Sequence, residues 1–245
     1  MLIFLFFEDK AGAPDNKNSS LPKAVSEEVR PKTFKTFSGK EFEDLYNSFV
    51  YPNTQSINED TPITGNDKAD TRIRQIAVER GYKLRSAPVT DTFKEVQKDM
   101  FLQQKAAQAW RVLSKKAAKD GLTLKLTAAY RSAKDQKAIF LSRLKGVSYV
   151  LIAEGKADDK VDMVLETTAL PGYSRHHTGY TVDIACASDP SVKFENSACF
   201  DWLNKNNYLN AKKSGWIPSY PDGAGKQGPR PEAWEYVWVG TDVLK

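Results

Sequence analysis

A change of hydrophobic period near Gly121 limits what this chain can fold into. From Asp91 to Lys119 the apolar residues Phe93, Val96, Met100, Ala107, Trp110, Leu113 and Ala117 recur at helical spacing, and Gly121 ends the run. Immediately beyond it Leu122, Leu124, Leu126 and Ala128 alternate with Thr123, Lys125 and Thr127, the two-residue period of a half-buried strand. The helical stripe belongs to the core rather than to a cofactor site. The strand delivers Tyr130 and Arg131 at its C-terminal end.

Other segments follow the same logic. Ser38 and Glu41 have capping-box spacing ahead of Phe42, Leu45 and Tyr46, which predicts a short opening helix. The stretch Tyr51 to Asn66 reads as loop, and a helix is expected from about Asp70 to Arg80, stopped by Gly81. Ser132 and Asp135 predict a helix through about Leu144; the stretch after Gly146 gives no clear period. A strand is expected over Tyr180 to Ala185, a helix over Ser197 to Asn206 and a last strand over Trp234 to Val239, with Pro218 to Pro231 as a loop. No internal repeat is visible. Helices and strands without βαβ regularity predict an α+β fold, a small antiparallel sheet flanked by helices.

Composition narrows the function classes. The chain has 245 residues, 40% apolar and 27% charged, and no long hydrophobic run, enough for one sizeable core. Its formal charge of +5 suits an anionic partner such as a wall polymer, a membrane surface or nucleic acid, and equally an ordinary solvated surface. The basic residues are spread along the chain, without zinc-finger spacing, a basic zipper or an RNP-like motif, so nucleic-acid binding is disfavoured. Met1 to Phe7 is apolar but too short to span a bilayer and lacks a basic flank; it reads as the remnant of an export signal or anchor. Glu8 to about Lys35, rich in Pro, Ser, Asn, Lys and Glu, reads as a tether that would hold the domain at residues 36–245 near a membrane. Cys186 and Cys199 either remain thiols or pair, and pairing would imply an oxidising compartment.

Chemistry concentrates in two segments. Pro171 to Asp183 places His176 and Asp183 seven residues apart, with Gly179 between them permitting a sharp bend into the strand. Both residue types bind zinc, and a catalytic zinc needs three protein ligands and an open position. The third ligand has to come from elsewhere, and Pro231 to Gly240 offers Glu232 and Glu235 among Trp234, Tyr236 and Trp238, where a buried carboxylate needs a partner. His177 is not expected to join His176 on one ion, because adjacent residues of an extended segment point to opposite sides. Taken singly, each residue has a bland alternative: a structural histidine, a capping aspartate, a surface ion pair at Arg131 or a solvent-facing glutamate. The aromatic cluster around Trp216 and Trp234 reads as core packing.

Three blocks together resemble the VanY-type D-alanyl-D-alanine carboxypeptidases, zinc peptidases of the LAS group, over roughly Thr90 to Gly240. They are Ala129-Tyr-Arg-Ser132 with Gln136, resembling G-Y-R-S-x-x-x-Q; Ser174-x-His-x-x-Gly-x-Thr-x-Asp183, resembling S-x-H-x-x-G-x-A-x-D; and Glu232-Ala-Trp234, resembling E-P-W-H. The resemblance implies a LAS/hedgehog-type metallopeptidase fold, one zinc ion held by His176 and Asp183, Glu232 as general base, and Arg131 facing the substrate's carbonyl or carboxylate. Gln136 and Ser174 become substrate contacts. It also implies peptidoglycan stem peptides as substrate, D,D- or L,D-carboxypeptidase activity, and an extracytoplasmic location.

The chain departs from the family where the third zinc ligand is His and this sequence has Glu235. A carboxylate there lowers the formal charge of a zinc site with its ligands from about +1 to about 0 and makes bound water harder to ionise. It also lets manganese or another oxygen-preferring divalent ion compete better. An endopeptidase, or a metal-poor relative that binds wall peptides without cutting them, are the competing expectations.

Overall fold

Ser38 opens the first helix as its spacing predicts. Its side chain accepts from the Glu41 amide while the Glu41 carboxylate accepts from the Ser38 amide, and helix α1 (Gly39–Ser48) buries Phe42 and Tyr46. The computed structural model describes residues 33–57, 61–89 and 92–245, so the apolar start and all but the end of the tether lie outside the described residues. Lys35 is already tied to the domain: its amide donates to the Leu244 carbonyl at 2.9 Å.

The chain continues through strand β1 (Thr54–Ser56), helix α2 (Asp67–Glu79) and strand β2 (Ser86–Pro88), which pairs antiparallel with β1. The stretch expected to be all loop thus contains a short strand. Helix α2 begins at Asp67, three residues before the expected start, and Asn66 caps it by accepting from the Ala69 amide.

The long helix expected over Asp91 to Lys119 is half hairpin. Strands β3 (Phe93–Gln97) and β4 (Met100–Gln103) pair antiparallel, and only then does helix α3 (Gln104–Lys119) begin. A bulge between Glu95 and Gln97 resets the two-residue alternation, which leaves Phe93, Val96 and Met100 at spacings that imitate a helix. The turn is closed at Asp99, whose φ is 59° and whose amide donates to Glu95 Oε1 at 2.9 Å.

Strand β5 (Leu124–Ala128) and helix α4 (Ala133–Arg143), capped by Ser132, lie where the sequence places them. The stretch without clear period forms helices α5 (Tyr149–Ala153) and α6 (Asp158–Leu165). Then come strand β6 (Thr181–Cys186), helix α7 (Ala198–Lys212), strand β7 (Trp216–Pro218), which the sequence did not announce, and strand β8 (Glu235–Trp238). Helix α7 is broken at Lys205–Tyr208, close to the expected end at Asn206. The main sheet is antiparallel throughout, in the order β5-β6-β8-β7. Cys186 at the end of β6 is disulfide-bonded to Cys199 in α7.

Two apolar clusters fill residues 33–245, which form one compact unit. One packs α1, α3 and α7 on the sheet through Phe42, Trp110, Leu113, Val182, Trp216 and Val237. The other joins α2, α4, α5 and α6 through Ile73, Phe140, Ile152 and Leu165. Burying each such side chain contributes about 1.5–3 kcal/mol. Residues from both sides line a cleft of about 240 Å³. Among the described residues no helix is long and apolar enough to cross a membrane.

Candidate metal centre

Sheet register builds the centre. Asp183 on β6 stands directly opposite Glu235 on β8, and Ala128 of β5 flanks Asp183 on its other side. Like charges facing each other across strands oppose folding, so this pairing calls for a cation. The segment before β6 supplies the third group. A 3-10 turn, Arg175–Thr178, ends at Gly179 with φ 75°, where a Cβ would come within 2.8 Å of the Phe93 ring. That bend brings His176 over the two carboxylates.

His176 Nε2 lies 3.3 Å from Asp183 Oδ1 and 3.5 Å from Glu235 Oε2, and the ligand atoms of the three residues all fall within 4.8 Å of one another. The His176 Nδ1 is 2.7 Å from the Ala129 carbonyl oxygen. A carbonyl only accepts, so Nδ1 carries a proton and Nε2 is the ring atom that faces the carboxylates, protonated in the metal-free protein and offering a lone pair once a metal ion displaces that proton. Asp183 Oδ1 is buried with no hydrogen-bond partner among the described residues. Two carboxylate oxygens and an imidazole lone pair converge only with positive charge among them. Burial alone would depress His176, yet Asp183 and Glu235 raise it to about 10. The field that holds a proton there so firmly also suits a divalent cation, so the three residues fit a metal.

Glu235 is buried and ionised. Burial pushes its carboxyl up, but Arg175 and His176 bring it down to about 2. Arg175, 3% exposed, places Nη1 3.1 Å from Glu235 Oε1. This is the partner a carboxylate among Trp234, Tyr236 and Trp238 was expected to need, and it sits in the unassigned position of Ser174-x-His176.

Glu232 lines the same cleft, half-buried; burial first, then Glu235 and Asp183, raise it to about 8, against the pull of His176 and Arg175. Arg131 also lines it, held by a bond from Nη1 to Gln136 Oε1 at 2.9 Å. Gln136 is itself buried, its Nε2 donating to the Ala169 carbonyl at 2.6 Å, so both ends of its amide are engaged. Ser174, buried, borders the cleft at the start of the 3-10 turn. All seven residues singled out from the sequence therefore meet at one cleft, together with Tyr220 of the aromatic cluster and with Arg175 and Gln227, which sequence reasoning missed.

His177 points away from the centre. Its Nδ1 lies 2.7 Å from the Arg131 carbonyl oxygen and its Nε2 accepts from the Gly172 amide at 3.1 Å. The segment is a 3-10 turn rather than extended, but the two rings still diverge. Burial depresses His177 to about 4, the state of a neutral imidazole with both nitrogens engaged.

A family model described as VanY, D-alanyl-D-alanine carboxypeptidase, matches residues 99–241, more than half of the chain. The chain belongs to the VanY family. The family resemblance read from the three sequence blocks is thereby borne out. The VanY-family chain is 29% identical over 179 residues to YodJ of Bacillus subtilis, which carries a provisional carboxypeptidase name; the match covers 70% of this chain and 60% of that relative's length. A solved structure of VanYB in complex with D-alanine-D-alanine is 21% identical, covers 64% of this chain and 82% of its own, and has a TM-score of 0.48. The LD-carboxypeptidase LdcB is 23% identical, covers 86% of each chain and has a TM-score of 0.49.

Proposed function

We propose that this chain is a metal-dependent carboxypeptidase that removes the terminal D-alanine from peptidoglycan stem peptides. The observation that carries the reading is the convergence of His176, Asp183 and Glu235 beside Glu232 and Arg131 in one cleft. His176 Nε2, one Asp183 oxygen and Glu235 Oε2 would hold a zinc ion, with manganese the strongest competitor at so oxygen-rich a site. Bound there, zinc supplies Lewis acidity to the scissile carbonyl and to the attacking water.

The remaining work falls to the protein. Glu232 takes the proton of the attacking water on a carboxylate oxygen and passes it to the leaving amine nitrogen. Its carboxyl is held up at about 8 partly by Glu235 and Asp183, so neutralising those two brings it down and favours the base form. Arg131, fixed by Gln136, turns its remaining donors to the substrate's terminal carboxylate or the developing oxyanion. Gln136 thus serves the substrate through Arg131, and Ser174 shapes the wall beside it. Stem peptides lie outside the cytoplasmic membrane, and the Cys186–Cys199 disulfide suits an oxidising compartment there.

The test is elemental analysis of protein purified without chelators, joined to an assay of D-alanine release with and without added zinc or manganese. A stem pentapeptide reports D,D-cleavage and a tetrapeptide reports L,D-cleavage. About one equivalent of metal and metal-dependent release are expected. No metal uptake and no release, with peptide still bound, would replace the peptidase reading with that of a wall-peptide binder.

A further inference from the structure

We infer that Arg175 is the positioning residue of the third ligand: it occupies one oxygen of Glu235, so that the other alone is presented to the centre with His176 and Asp183. The inference rests on the reading of Glu235 as a ligand.

The two oxygens of Glu235 are divided. Oε1 accepts from Arg175 Nη1 at 3.1 Å, and Oε2 faces His176 Nε2 at 3.5 Å. The guanidinium is held on every side. Nη1 also donates to the Ser219 carbonyl at 2.9 Å, Nη2 donates to Gln227 Oε1 at 2.6 Å, and the rings of Tyr46 and Tyr220 lie 4.6 and 3.9 Å from its carbon. Such a fork cannot swing to follow the carboxylate, so Glu235 cannot turn both oxygens inward.

Charge points the same way. His176, Asp183 and Glu235 bring two negative charges to a divalent cation, which leaves the ion with its ligands formally neutral and weakly acidic. The buried guanidinium adds one positive charge beside them without taking a ligand position. Among the described residues Glu235 is the only carboxylate within ion-pair distance of Arg175. Arg175 would be buried without a counter-charge if Glu235 were replaced by a neutral residue, and Glu235 would lose the charge that holds Oε1 if Arg175 were replaced, which makes them a unit. A one-oxygen Glu235 keeps the donor number low, as zinc prefers, and keeps a position open for water and substrate; a two-oxygen Glu235 would close it and favour manganese.

The experiment titrates metal-free wild type, Arg175→Met and Arg175→Lys with zinc and manganese against a competing chelator, and records the visible spectrum of each cobalt-loaded form. Wild type is expected to prefer zinc and to show the intense bands of four-coordinate cobalt. In Arg175→Met the zinc-over-manganese preference should fall roughly tenfold and the cobalt bands should weaken as coordination number rises. Arg175→Lys keeps the charge but not the fork and should fall between them. Thermal melts of metal-free Glu235→His and of Arg175→Met/Glu235→His add a second reading: the single variant should melt lower than the double. Unchanged selectivity and spectrum in Arg175→Met overturn the inference while leaving Glu235 a ligand. Failure of wild type to take up metal removes the ligand reading and the inference with it. Where Arg175→Met does not fold, Arg175→Lys decides: wild-type selectivity and spectrum overturn the inference, and a shift in both supports it.

Discussion

The two sides of the 3-10 turn Arg175–Thr178 are built from adjacent histidines with opposite chemistry. His176 faces two carboxylates on the sheet and is raised to about 10; His177 faces only main chain and is depressed to about 4. Both rings are buried and both donate through Nδ1 to a carbonyl. Burial acts on the two alike, so the difference lies in what meets Nε2: anionic oxygens in one case, the Gly172 amide in the other. A histidine becomes a candidate ligand here by the company of its second nitrogen, not by burial.

The comparison breaks most readily at His176. His176→Ala is expected to abolish metal uptake and D-alanine release, whereas His177→Ala should still bind about one equivalent of metal; elemental analysis and the release assay decide this. Next in size, Glu232→Gln should lower kcat by roughly 10²–10⁴-fold while metal stoichiometry stays at that of wild type. Thermal melts of metal-free protein across pH sharpen the contrast. The folded-state value of His176 lies above its ordinary 6.5, so its contribution is complete below pH 6.5 and is lost as pH rises through about 10. His177 lies below 6.5, so its contribution is present above pH 6.5 and is lost as pH falls through about 4. Removing His176 should flatten the alkaline limb of the melting curve, and removing His177 the acid limb. Smallest is the stability cost of His177→Ala, about 1–3 kcal/mol by denaturant unfolding, from stranding the Gly172 amide and the Arg131 carbonyl.

How much of this was legible in the sequence depended on whether the signal was local. Capping residues marked the starts of α1 and α4, and the alternation Leu122 to Ala128 marked β5, because each depends on residues within a few positions. His176, Asp183, Glu232 and Glu235 were legible from motif spacing, since sheet register turns that spacing into proximity. The β3–β4 hairpin was not, because its bulge erased the alternation. Strand β7, three residues long and buried, is too short to show a period. Arg175 was illegible for a different reason. Its partners come from α1, the Ser219–Gln227 stretch and β8, and only the folded chain brings them together.

Tyr46 has a practical consequence. Helix α1 lies outside the residues 99–241 that match the family, yet its ring stands 4.6 Å from the Arg175 guanidinium. Tyr82 and Arg85, also outside the match, line the cleft. A gene fragment trimmed to the family boundary would therefore lose one wall of the cleft and expose the Arg175–Glu235 pair to water. The smallest fragment worth expressing begins before α1, at a border set by one aromatic ring rather than by the extent of shared sequence.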